Sequence, residues 1–283
     1  MQDATISNSN PARPETASVS APVKRQAVFR EALLPWITTP ALLLVIVLGW
    51  HFYVKIGGVS PFILPAPGAV FSAWVDMLWS PRAWAHTGWT VYATLYGFLW
   101  ALVVGVGLGV LIGRVRWLEA TLNPFIVATQ VIPKVALVPL FVVWFGFGVT
   151  SKVIVAAVLA FFPILTNTVL GVKSIDRGHR DVMISLNASR WQVFRRLELP
   201  SALPYILTGM EVGIVLAIIG AIVGEYLGGN NGLGAMLIAK MNGFETDGLF
   251  AVIIQMTILG FVFYFGIGAL RRILIPWHES AGK

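Results

Sequence analysis

Cysteine is absent from this sequence, and histidine occurs only 4 times in 283 residues. The first absence excludes a disulfide framework and a thiolate metal site, and the scattered histidines offer no metal-ligand spacing. Charge is scarce as well. Only 12% of residues are charged against 57% hydrophobic, and a mean hydropathy of +0.79 lies outside the usual range of soluble domains. These values imply an all-α integral membrane protein. A phosphate-cradling loop is also missing, because no glycine followed after four residues by Gly-Lys-Ser/Thr occurs; "GVKS" at Gly171 has a valine between its glycine and lysine. Energy for any transport must therefore come from another polypeptide or from an ion gradient.

What is present is positive charge, with a net +7. In a membrane protein this marks cytoplasmic loops rather than a nucleic-acid surface. Residues 1–33 are rich in Ser, Pro, Ala and Thr without a periodic apolar face, which predicts a disordered cytoplasmic tail. A cleaved signal peptide is the weaker alternative, since the apolar run after Arg30 is too long for one.

A helix needs about twenty apolar residues to cross the hydrocarbon core. Six runs meet this: Leu34 to Val54, Val91 to Gly113, Leu118 to Phe147, Val153 to Val172, Leu203 to Gly224 and Phe250 to Leu270. They define a six-helix domain over residues 34–272, followed by a cytoplasmic tail at 273–283. With the N-terminus inside, the cytoplasmic side receives Lys24, Arg25, Arg30, Arg114, Arg116, Lys173, Arg177, Arg180, Arg190, Arg195, Arg196, Arg271 and Arg272. The outer loops then hold Lys55, Arg82, Lys152 and Lys240. That bias places both termini in the cytoplasm.

Local features refine the spans. In the first outer loop, Phe71, Trp74, Val75 and Trp79 recur at helical spacing, which predicts a short helix on the outer surface. Glycines 97, 105, 109 and 113 make a smooth strip for close helix packing. Pro133 and Pro139 lie inside one apolar run, so the third span should be bent or broken and should line the pathway.

A cytoplasmic loop from about Lys173 to Ser201 is longer than a helix connection requires. From Asp181 to Leu197 it has helical periodicity, with Val182, Leu186, Trp191, Phe194 and Leu197 on one apolar side, and Pro200 is expected to stop it. A helix docking on a partner and a helix lying on the anionic inner leaflet would both have this composition.

The stretch "DVMISLNASRWQVFRRLELP" resembles the cytoplasmic signature loop of ABC importer permeases, written Glu-Ala-Ala, three residues, Gly, nine residues, Ile, one residue, Leu-Pro. Aligned on Leu199 and Pro200, the isoleucine falls on Leu197, the glycine on Asn187 and the Glu-Ala-Ala head on Asp181, Val182 and Met183. The head departs from the motif, whereas the remainder, from Ala188 on, follows it. Asparagine, like glycine, tolerates the left-handed backbone a turn can require. The segments "FILPAPGAV", "VIPKVALVPLFVVWFGFG", "FFPILTNTVLGVKSI", "GAIVGEYLGGNNGLGAML" and "RRILIPW" are similar to permeases of the nitrate, sulfonate and taurine branch.

The resemblance implies a type I importer fold, without enzymatic activity or a bound cofactor in this chain. ATP and Mg would belong to two partner ATPase subunits, and a periplasmic or lipid-anchored solute-binding protein would deliver substrate. A second permease copy would complete the assembly, as a homodimer or with a related chain in its place. The family's coupling helix then falls on Asp181, Asn187, Ala188, Arg190, Trp191, Phe194, Arg195, Leu197, Leu199 and Pro200. The branch carries nitrate, sulfonates, taurine and pyrimidine precursors, so a small, anionic solute is expected.

Polar residues within spans are pathway candidates: Gln130 and Lys134 on one face of the third span, Asn167, Glu211 and Glu225. The alternative for each is structural, with Glu211 paired to Lys134 or a loop arginine, and Gln130 and Asn167 joining helices by hydrogen bonds. Glu225 with "GGNNGLG" reads as the cap of an outer gate with a tight turn. The competing function is a proton-coupled secondary transporter working through Glu211 and Lys134, which would be expected to show internal repeats that the sequence lacks.

Overall fold

A computed structural model describes residues 25–276, with the backbone alone at residues 25–35 and at Arg177. The described residues form helices and no strand. A first unit ends at Trp50 and a second begins at His51. Helix α1, Arg25–Ile56, starts inside the stretch that the sequence assigns to the tail, while residues 1–24 and 277–283 lie outside the described residues.

The second unit is built on α3 (Pro81–Arg114), α6 (Val149–Lys173) and α9 (Leu199–Gly228). Together with α1 and α11 (Thr246–Leu274), these make five helices among the described residues that are long and apolar enough to cross a membrane. A sixth span arises if α4 (Arg116–Val131) and α5 (Val138–Phe145) are taken as one piece bent by 84°. Pro133 causes the break. A proline disfavours helical backbone in the residue before it, and Ile132 accordingly has ψ 125°. Pro139 behaves differently: it lies in the first turn of α5, where a missing N–H costs nothing.

The small-residue strip on α3 is used as expected. A Cβ added at Gly97 would lie 2.5 Å from Ala156 Cβ, and one at Gly109 2.6 Å from Thr168 Cβ, so α3 rests directly on α6. Gly209 and Gly213 of α9 also lie against α6, where an added Cβ would come 2.9 Å from Asn167 Cβ and from Ile164 Cδ1 respectively. Ile164, fully buried, is clasped between Gly105 and Gly213. Dispersion between closely packed surfaces, rather than water exclusion, is what holds such helices together in lipid.

The amphipathic piece that the sequence places in the first outer loop is α2, Pro67–Leu78. Phe71 and Trp79 are exposed as an interfacial helix requires. Trp74 turns inward, and its Nε1 donates to Gln255 Oε1 of α11 at 3.1 Å. A further helix, α10 (Leu233–Asn242), follows the glycine-rich turn and was not anticipated, because its ten residues fall short of a span.

Candidate functional site

The charged loop is two helices, not the single one that periodicity predicts. Helix α7, Arg177–Ser185, and helix α8, Arg190–Val193, are separated by a reversal in which Asn187 has φ 51°. The asparagine at the motif's glycine position therefore does adopt left-handed backbone. Ser189 then caps α8: its hydroxyl accepts the N–H of Gln192, and Gln192 Oε1 accepts the N–H of Ser189 at 2.8 Å.

Pro200 does not stop the helix. After α8 a π-helical turn, Phe194–Glu198, leads straight into α9, so the chain stays helical from Arg190 to Gly228. Proline at the start of α9 has no N–H to contribute, and the Leu199 N–H bonds back to Phe194 O, which widens the turn enough to admit the ring. Helix α8 is thereby continuous with α9.

Val182, Ile184, Leu186, Arg190, Trp191 and Arg195 are exposed on the charged loop, and Asp181 is exposed on the same helix as Val182. Phe194, Leu197, Ala188 and Pro200 are half-buried, and Leu199 is exposed. The Trp191 and Phe194 rings lie 5.5 Å apart, and the Arg114 guanidinium sits 4.9 Å over the Phe194 ring. Glu198 accepts from Arg180 Nη2 at 2.7 Å and from Arg114 Nη2. Neither Glu198 nor Arg114 was singled out from sequence, although Glu198 is the one acidic residue among the loop's arginines between Arg190 and Pro200.

The polar residues of the spans are dispersed. Gln130 and Lys134 do not share a helix face: the break at Pro133 separates them, leaving Gln130 exposed near the end of α4 and Lys134 in a 3-10 turn. Lys134 Nζ stands 4.9 Å over the Phe162 ring. Asn167 donates to Pro163 O at 2.8 Å, within its own helix, rather than across to another. Glu211 takes a bidentate contact from Arg271 Nη1, at 3.1 and 3.0 Å, joining α9 to α11. The arginine, not Lys134, is its partner, so the pair on which a proton-coupled route would rest is not assembled.

Glu225 is buried at 1% exposure. Its Oε2 accepts from Thr90 Oγ1 and from the Gly234 N–H, both at 2.9 Å. Thr90 Oγ1 in turn accepts the Leu233 N–H at 2.8 Å, so the first turn of α10 is fastened to α3 and α9. His86 Nδ1 donates to Gly232 O at 2.9 Å, and Lys152, buried at 4% exposure, donates to Asn231 O at 2.9 Å. The lysine that the sequence places simply in an outer loop is thus part of this knot. Gly232 has φ 103°, and a side chain there would overlap the Glu225 carboxylate.

An all-helical membrane domain with a sharply bent helix pair, a fastened glycine-rich turn and a charged helical loop suits a transport permease. Residues 105–277 match the family described as binding-protein-dependent transport system inner membrane component, and this chain belongs to it, as an ABC importer permease of the nitrate, sulfonate and taurine branch. It is 39% identical over 246 residues to the riboflavin transport system permease protein RibX of Chloroflexus aurantiacus, covering 87% of this chain and 92% of that protein. Over 231 residues it is 36% identical to the formylaminopyrimidine transport permease protein ThiX of Halalkalibacterium halodurans, covering 82% and 92%. The taurine transport system permease protein TauC of Escherichia coli is 30% identical over 247 residues, covering 86% and 89%. These relatives are transport permeases and not enzymes.

Proposed function

We propose that this chain is one of two permease subunits of an ATP-driven importer, docked through its α7–α8 loop on a separate ATPase that alone binds ATP and Mg. The observation that carries this reading is the loop's exposed Val182, Ile184, Leu186 and Trp191, on a segment that also exposes Arg180, Arg190 and Arg195. Buried aromatic anchors with a polar rim are the anatomy of a protein interface. A loop continuous with α9 can pass a displacement into the membrane, so that closure of two ATPases tilts the spans and opens the pathway alternately to each side. The chain itself needs no cofactor for this.

Six spans, with the bent α4–α5 segment counted as one, leave both termini and the basic loop cytoplasmic, as the positive charges favour. Residues 1–33 and 273–283 are the cytoplasmic tails. A second copy completes the pathway, with Gln130, Lys134, Asn167 and Glu211 near it and Glu225 holding the outer turn. A periplasmic or lipid-anchored binding protein delivers the solute. Among solutes of the branch, small heteroaromatic ones are favoured, because the identities to the riboflavin and formylaminopyrimidine permeases, 39% and 36%, exceed the 30% to the taurine permease.

The test is affinity purification of the tagged chain from native membranes. Recovery of a P-loop ATPase that is lost from the Trp191→Ala/Phe194→Ala variant is expected. A permease recovered alone, with proton-dependent uptake, would overturn the assignment.

A further inference from the structure

The α7–α8 loop has a mechanical difficulty. The large apolar side chains Val182, Ile184 and Leu186 are exposed, so burial against the spans does not set the angle at which the loop stands. The reversal at Asn187 leaves α7 joined to α8 by only a few residues of backbone. A device that moves spans must nevertheless hold one orientation to them.

Glu198 supplies that constraint. It lies in the π-helical turn at the root of α9, with its side chain only 12% exposed. Both of its carboxylate oxygens are used, by two arginines from different elements. Arg180 of α7 reaches Oε1 at 2.7 Å, and Arg114, the last residue of α3, reaches Oε2. The Arg114 guanidinium also covers the Phe194 ring, which seats it on the π turn. Among the described residues, Arg180 to Glu198 is the ion pair that ties α7 to another element.

We propose that, in the importer read above, Glu198 is a positioning residue: it pins α7 and the cytoplasmic end of α3 to the root of α9. A push on the loop is then delivered to α3 and α9 together instead of being absorbed at Asn187. The two arginines are 41% and 46% exposed, so each pair adds little to folding stability. Geometry is what they fix.

The absence of cysteine allows a direct test. Spin labels on His179→Cys of α7 and Leu111→Cys of α3, both exposed positions, report the distance between the two elements in the purified permease. The parent should give one narrow distance. Glu198→Gln should broaden it at unchanged thermal midpoint, and lower ATPase subunit recovered with the permease by about fivefold or more, the scale of an ordinary coupling between sites. Glu198→Asp should recover much of both. Should Glu198→Gln impair insertion, Arg180→Gln, which leaves Arg114 on Glu198, should broaden the same distance. An unchanged distance in these variants overturns the proposal; with ATPase lost as well, it would mean that Glu198 touches the partner directly. If even the parent recovers no ATPase, the importer reading fails instead, while the distance measurement on the permease alone still decides the role of Glu198.

Discussion

Thr90 and Glu225 hold the glycine-rich turn before α10 between them: the threonine hydroxyl donates to Glu225 Oε2 at 2.9 Å while accepting the Leu233 N–H at 2.8 Å. Both residues are buried, at 0% and 1% exposure. Thr90→Val preserves shape but strands the buried Leu233 N–H, which costs about 1–3 kcal/mol, and leaves Glu225 Oε2 with the Gly234 N–H as its remaining donor. Thermal unfolding in detergent should show a lower midpoint for Thr90→Val, with Thr90→Ser near the parent. Equal midpoints for the valine variant and the parent would deny the hydroxyl this role.

Two glycines of α3 should respond oppositely to the same substitution. At Gly97 a Cβ would lie 2.5 Å from Ala156 Cβ and 2.8 Å from Val153 O, whereas at Gly107 nothing lies within 4 Å. Gly97→Ala should destabilise by about 1–3 kcal/mol through overpacking against backbone that cannot yield. Gly107→Ala should be neutral or stabilising by up to about 1 kcal/mol, since alanine favours helix over glycine. Midpoints in the reverse order would contradict the packing of α3 on α6.

The contact between Glu211 and Arg271 can be measured by a double-mutant cycle. Both side chains are mostly buried, at 16% and 21% exposure. Glu211→Gln and Arg271→Gln should each lower stability, and the double variant should cost less than their sum by about 0.5–3 kcal/mol. Strict additivity would mean that the two are not coupled, and would free Glu211 for the proton chemistry of the competing transporter.

At Asn187, with φ 51°, the residue type should follow backbone conformation rather than contact. Asn187→Gly should leave stability and ATPase recovery unchanged, matching the glycine of the family motif. Asn187→Val should cost about 1–2 kcal/mol, the penalty for a Cβ in left-handed backbone. Tolerance of valine in both assays would show that the loop does not need this reversal.

Much of this was legible in sequence because its causes are local. Pro133 announces the break, since a proline constrains the residue before it wherever it stands. The glycine strip announces close packing, since its four-residue spacing puts small residues on one helix face. Asn187 announces the turn through its own backbone tolerance. Pro200 misled for the converse reason: a π turn upstream supplied what a proline in an ordinary helix would break.

By itself, then, the sequence determined a helical membrane chain, the positions of its apolar runs and the loop that bears the permease motif, because hydropathy and backbone preference are properties of short segments. Only the tertiary structure decided the partners: Arg271 for Glu211, Thr90 and the α10 turn for Glu225, and two arginines for Glu198. Arg271 is 60 positions from Glu211, and Thr90 is 135 from Glu225. An ion pair or hydrogen bond acts over a few ångströms in space, and helix packing, not sequence spacing, sets which groups come that close.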